Sequence, residues 1–149
     1  MEQEYSNILV GIDGSPQANY AYECAIEIAR RNHAKIYAVT ILQNSTYDLV
    51  GFGQVSESAN EHLIQEFTRL HAEIIDWAHG IDFHDVESKI IHGNTRELMT
   101  HLLPEKYSID LIVVGQSGLN GFERFFIGSI ADYIIRKAPC DVMVIGPQK

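Results

Sequence analysis

Hydrophobic positions fall into short continuous runs separated by stretches of helical period. Ile8-Leu9-Val10-Gly11-Ile12 is apolar throughout, the pattern of a strand buried on both faces. Ser15-Pro16 then opens a helix, with Ser as N-cap and Pro at the first helical position. Ala18, Ala21, Ala25, Ile28 and Ala29 form one stripe at helical spacing, and their small size predicts a helix packed close to a sheet. Ile36 to Leu42 is the second strand. Residues Gln43 to Val55 carry Asn, Ser, Thr, Asp and two glycines and read as a loop.

The longest helix is predicted from about Ser56 to His79, with Ser58 and Glu61 as a capping box. Leu63, Phe67, Leu70, Ile74 and Trp77 repeat at steps of 4, 3, 4 and 3 and define its expected buried face. Gly80 is a natural stop. Val86 to Ile91 is the third strand. Gly93-Asn94-Thr95 caps a shorter helix expected to end near Leu103, where Pro104 breaks it. Leu111-Ile112-Val113-Val114-Gly115 is the fourth strand. Ser129-Ile130-Ala131-Asp132 reads as a capping box for a last helix ending before Pro139, and Val142 to Ile145 is the fifth strand. Strands alternating with helices argue for a parallel sheet with helices on both faces. No repeat, low-complexity tract or linker interrupts the pattern, so residues 1–149 read as one domain.

Composition narrows the functional classes. The 149 residues are 46% hydrophobic and 21% charged, as in an ordinary globular domain able to bury a core without metal or disulfides. Twenty acidic against eleven basic residues give a net charge of −9. The longest basic runs are pairs, Arg30-Arg31 and Arg136-Lys137, placed where helix C-termini are expected and suited to the helix dipole. Nucleic acid and anionic membrane surfaces are therefore disfavoured as partners. An anionic ligand would need a local positive potential of the site's own making. The acidic start Met1-Glu2-Gln3-Glu4 lacks the features of a signal peptide, and no apolar run has the length of a membrane span. Cys24 and Cys140 read as buried small residues rather than a pair. The expected location is the cytoplasm.

In parallel sheets of this kind ligands bind beyond the C-terminal strand ends, where strand order reverses. Two strands carry informative residues there, Gly11-Ile12-Asp13-Gly14-Ser15 and Gly115-Gln116-Ser117-Gly118. A glycine at position 115 lets a ligand approach the backbone, and Gly118 and Gly121 permit tight turns. Gly128-Ser129 stands at a helix start, where free N–H groups and the positive dipole end favour an anion. Strand, glycine loop and helix N-terminus together can wrap a phosphate chain. No Gly-Lys-Ser/Thr is present, and Gly11-x2-Gly14 is too short to be a dinucleotide fingerprint. The spacing that is present is Gly115-x2-Gly118-x9-Gly128-Ser129.

With that spacing the sequence resembles the universal stress protein family, in its ATP-binding branch. The resemblance runs along nearly the whole chain. It includes Ile8-Leu9-Val10-Gly11-Ile12-Asp13-Gly14-Ser15, the Gly93-Asn94 turn, the glycine motif and the closing Ala138-Pro139-Cys140-Asp141-Val142-Met143-Val144-Ile145. It implies an open five-stranded parallel sheet in the order 3-2-1-4-5, with both informative loops facing one crevice. It further implies ATP there, with Asp13 on the nucleoside and Ile12 and Ile41 lining the adenine pocket. Val114, Gly115, Ser117 and Gly118 would meet the ribose and inner phosphates; Gly128, Ser129 and Ile130 would cradle the outer ones. A homodimer through the fifth strand, Val142 to Ile145, is also implied. Many relatives carry Arg or His where this chain has Ser117, which removes a cation beside the phosphates. Arg124 or a divalent cation, Mg²⁺ by default for a triphosphate, would replace it.

Plainer roles stand beside these. Asp13 could bond its own loop, Ser129 could be a simple N-cap, Arg124 a solvated charge, and the glycines a tight turn without ligand. The seven histidines are scattered; His71 and His79 could share a helix face, but no third metal ligand accompanies them. The leading expectation is a nucleotide-binding regulatory protein with little or no turnover. A slow ATPase or autophosphorylating enzyme, and an interaction dimer with a vestigial pocket, are the alternatives.

Overall fold

The computed structural model describes residues 4–43, 53–116 and 127–148, with only the backbone described for 53–57. Its elements run β1 (Asn7–Gly11), α1 (Pro16–Asn32), β2 (Lys35–Leu42), α2 (Gly53–Gly80), β3 (Val86–His92), α3 (Thr95–Glu97), a π-helical turn (Leu98–Leu102), α4 (Leu103–Tyr107), β4 (Leu111–Gly115), α5 (Ser129–Lys137) and β5 (Asp141–Ile145). The five strands form one parallel sheet in the order β3-β2-β1-β4-β5, as expected.

Each central strand sends alternate side chains to opposite faces. Ile8, Val10 and Ile12 join Ile36, Ala38, Leu111 and Val113 under α1 and α2. Leu9, Val39 and Ile112 pack on the other face with Leu98, Met99, Leu103 and Ile134. The alanines of α1 do lie inward, and Tyr22 and Ile26 join them as the bulky members of that face. The Tyr22 hydroxyl donates to the Ile74 carbonyl at 2.9 Å, and burial raises its pKa. Arg30, at the end of α1, donates to the Ile81 carbonyl at 2.7 Å and so ties the C-terminal ends of α1 and α2 together.

Three expectations for the helices are corrected. First, α2 begins at Gly53, so Ser58 lies inside it and heads no capping box. Second, the inward face of α2 is centred on His71, Ile74 and Ala78, whereas Leu63 and Trp77 are 40% and 41% exposed. The helix leans on the sheet only in its second half, and Trp77 lies at the rim against the Tyr22 ring, centroids 6.1 Å apart. Third, Pro104 does not end the helix that Asn94 caps through the Glu97 N–H. The chain continues to Tyr107 because the preceding turn widens, with the Leu103 N–H bonding the Leu98 carbonyl five residues back. A π turn of this kind gives room to a ring that would otherwise press on the carbonyl four residues earlier.

Candidate nucleotide crevice

The crevice follows from how β1 and β4 end. They pair through Val10 and Val113 and then part. The Ile12 N–H turns to the Val39 carbonyl of β2 at 2.7 Å, while the Gln116 N–H turns to the Ile145 carbonyl of β5 at 2.8 Å. Each strand thus ends bonded to its outer neighbour, and the sheet opens between them at the point where strand order reverses.

On the β1 side the turn is closed by its own side chains. Gly14 takes φ +83°, a conformation that glycine adopts without steric cost. The Asp13 carboxylate accepts the Ser15 N–H at 2.8 Å. Buried Ser15 accepts the Ala18 N–H at 3.1 Å and caps α1. Asp13 is exposed, and a carboxylate engaged by one N–H retains capacity for further donors. Its bond within its own loop, weighed above as the plainer role, is therefore real and leaves room for a ligand.

On the β4 side, Gly115 is a close-approach position. A Cβ there would stand 3.2 Å from the Gln17 carbonyl oxygen, so the missing side chain seats the first turn of α1 against β4. This packing against Gln17 is a structural reason for glycine at 115 that stands beside the ligand approach expected from sequence. The Gly128 N–H donates to the Gln116 carbonyl at 2.8 Å, which brings the start of α5 to the end of β4. Gly128 itself is the N-cap, with no side chain capping the helix. Ser129 is the first helical residue, so the expected capping box headed by Ser129 is absent. Ser117 and Gly118, with Gly121 and Arg124, lie outside the described residues.

The apolar candidates divide between the faces. Ile41, Val114 and Ile130 all pack, half-buried, on the cluster formed by Leu9, Val39, Leu98 and Ile134. Ile12 is 2% exposed and packs on the opposite face with α1 and α2. It can therefore present only its backbone to the crevice. Asp13 also borders a groove of about 400 Å³ against α2, lined by Gly14, Leu63, Phe67, Leu70, Glu66, Arg69 and Glu73. Among the described residues, this groove shares only Asp13 with those expected to hold a nucleotide. Arg69 was not legible as a neighbour of Asp13, because only tertiary packing lays α2 beside that turn.

Among the described residues no three His, Cys, Asp or Glu side chains gather as a metal-holding group. His79 lies against His84, ring centroids 4.8 Å apart, whereas His71 points inward and is buried. The cysteines are free and half-buried. Burial, with Asp110 and Asp141 nearby, pushes the Cys140 thiol up to about 11, so it is a poor nucleophile at neutral pH. No helix among the described residues is long and apolar enough to cross a membrane.

Fold and crevice define an open, doubly wound parallel α/β domain with its ligand cleft at the strand-order reversal. A model of the universal stress protein family matches residues 4–146. A relative from Staphylococcus haemolyticus that carries the universal stress protein name is 34% identical over 146 residues, covering 95% of this chain and 84% of its own. The solved structure of the universal stress protein UspA from Lactobacillus plantarum superposes with a TM-score of 0.88 at 26% identity, over 97% of this chain and 99% of that one. A universal stress protein solved in complex with cAMP has the same fold, with a TM-score of 0.63 at 23% identity over 96% and 98% of the two chains. The chain belongs to the universal stress protein family.

Proposed function

We propose that this protein binds ATP in the crevice between β1 and β4 and acts as a nucleotide-dependent regulator with little or no turnover. The observation that carries the reading is the junction of β4 with α5. There Gly128 serves as a side-chain-free N-cap, tied to the Gln116 carbonyl at 2.8 Å. Backbone N–H groups at such a helix start favour phosphate oxygens, so Ser129 and Ile130 would receive the outer phosphates. Ile41, half-buried on the apolar cluster of Leu9, Val39, Leu98 and Ile134, would meet the adenine face. The exposed Asp13 carboxylate would accept ribose hydroxyls, and the Ile12 backbone would border the base. Val114 and Gly115, with Ser117 and Gly118, would follow the ribose and inner phosphates. Mg²⁺ would offset the triphosphate charge, which matters in a chain of net charge −9. The cAMP complex of a family member with the same fold supports an adenine nucleotide as the ligand class.

We also propose a homodimer paired through β5. Met143 is exposed at this sheet edge, where Val142, Val144 and Ile145 are only half-buried, and pairing would cover the open edge.

The test is to denature freshly purified protein and identify released nucleotide by mass, then titrate ATP with Mg²⁺ calorimetrically. ATP near one per chain, or saturable binding of added ATP, is the expected result. No bound nucleotide and no binding would overturn the reading in favour of an interaction dimer. Sustained phosphate release that disappears in Asp13→Ala would replace it with a slow ATPase.

A further inference from the structure

The inward face of α2 carries a histidine that no step above uses. His71 is 4% exposed, and its Nε2 lies 2.6 Å from the hydroxyl of Thr40, itself 3% exposed. The same Thr40 Oγ1 lies 2.6 Å from the Ile12 carbonyl oxygen. A hydroxyl has one proton to donate. Were it given to His71, two oxygen atoms would face each other at 2.6 Å with no hydrogen between them. The Thr40 O–H therefore donates to Ile12, and His71 must donate from Nε2–H to Thr40. Nδ1 is buried with no partner among the described residues, a place that suits a bare nitrogen of the neutral ring and not the N–H of an imidazolium. Burial lowers the His71 pKa, in keeping with this state.

The consequence falls on the β1–α1 turn. The Ile12 N–H is held by the Val39 carbonyl at 2.7 Å and its carbonyl by Thr40, so both backbone groups are fixed from β2. Because a peptide unit is planar, holding the Ile12 carbonyl also orients the N–H and Cα of Asp13. The neighbouring Leu70 places Cδ2 3.8 Å from where a Cβ on Gly14 would stand. Helix α2 thus meets the turn on both sides of Asp13, through Leu70 directly and through His71 by way of Thr40.

We propose that His71 and Thr40 are positioning residues of the nucleotide crevice: the Nε2–H of His71 directs the Thr40 hydroxyl onto the Ile12 carbonyl, which sets Asp13 for its ligand. The relay links α2, whose N-terminal part lies beyond the 43–53 connection, to the nucleoside side of the crevice. Its ligand-binding consequence rests on the ATP reading above, while the relay itself does not.

The test uses the full chain. In wild type at neutral pH, ¹⁵N NMR of the imidazole is expected to show a protonated Nε2 and a bare Nδ1. A ring protonated at Nδ1 would overturn the proposal without any variant. Thr40→Val and His71→Leu are expected to move the Asp13 and Gly14 amide resonances and weaken ATP binding about tenfold, the loss of one directing hydrogen bond. Thr40→Ser and His71→Gln, which retain a hydroxyl and an N–H donor, should return affinity to within about threefold of wild type. Unmoved Asp13 and Gly14 amides in Thr40→Val would also overturn the proposal. If wild type binds no ATP, the function proposed above fails, and the tautomer and the Asp13 amide shifts still decide the relay.

Discussion

The two turns that flank the crevice are built on opposite principles. The β1–α1 turn satisfies itself: Asp13 holds the Ser15 N–H, Ser15 holds the Ala18 N–H, and β2 holds both backbone groups of Ile12. The end of β4 meets the start of α5 where Gln116 accepts the Gly128 N–H, and among the described residues α5 starts with no side-chain cap. The same local problem, unpaired N–H groups at a helix start, is solved from within on one side and left to backbone geometry on the other. The difference assigns the turns distinct work. A wall that is already satisfied can be rigid and present an acceptor, whereas an uncapped helix start presents donors to an anion.

The largest expected effect tests how the walls are joined. Gly115→Val would place Cβ against the Gln17 carbonyl, 3.2 Å away, and should destabilise the fold by about 1–3 kcal/mol as an overpacked contact does. Urea denaturation checks this. An unchanged midpoint, with ATP binding alone lost, would return Gly115 to a purely ligand-facing role.

Acidification should strike the β1 side next. His71 has a native pKa below the ordinary 6.5, so the unfolded chain takes up that proton more readily. Stability from this residue is present above pH 6.5, the unfolded value, and is lost as pH falls toward the lowered native value. The steepest slope is about 1.4 kcal/mol per pH unit. The difference between wild-type and His71→Gln stability, measured by denaturation from pH 7.5 to 5, should carry this term; parallel curves would refute it.

Removing the caps sharpens the contrast directly. Ser15→Ala should cost about 1 kcal/mol, because it strips a buried N-cap of its acceptor. Ser129→Ala should change stability by less than about 0.5 kcal/mol, since position 129 is not the cap. Thermal melts of the two variants measure the difference. Equal losses would mean that the two helix starts are built alike after all.

Much of this arrangement could be read from the chain itself. Continuous apolar runs marked β1 and β4, with Leu111 to Gly115 matching β4 residue for residue, because strands buried on both faces must be apolar throughout; the edge strand β3 was legible instead from the alternation of Val86 to Ile91. Ser15 and Asn94 signalled their caps, since capping depends on neighbours within a few residues. The order of the sheet came from resemblance to a family rather than from any local pattern.

Where each residue looks was decided only in the folded molecule. Periodicity groups Leu63, Phe67, Leu70, Ile74 and Trp77 on one side of α2, but it does not say where along its length that helix touches the sheet. Leu63 lies ahead of the stretch that meets the sheet, and an inward face centred on His71, Ile74 and Ala78 takes His71 inside and leaves Trp77 at the rim. Likewise, glycine at 115 is evident from sequence, but its reason, the Gln17 carbonyl, comes from a helix ninety-eight positions earlier in the chain. The sequence by itself determined the five strands, their succession along the chain and the caps at Ser15 and Asn94, all products of short-range sterics and hydrogen bonding. The tertiary structure alone decided the relay from His71 through Thr40 to Ile12 and the meeting of Gly128 with Gln116, because those contacts exist only once distant segments have packed.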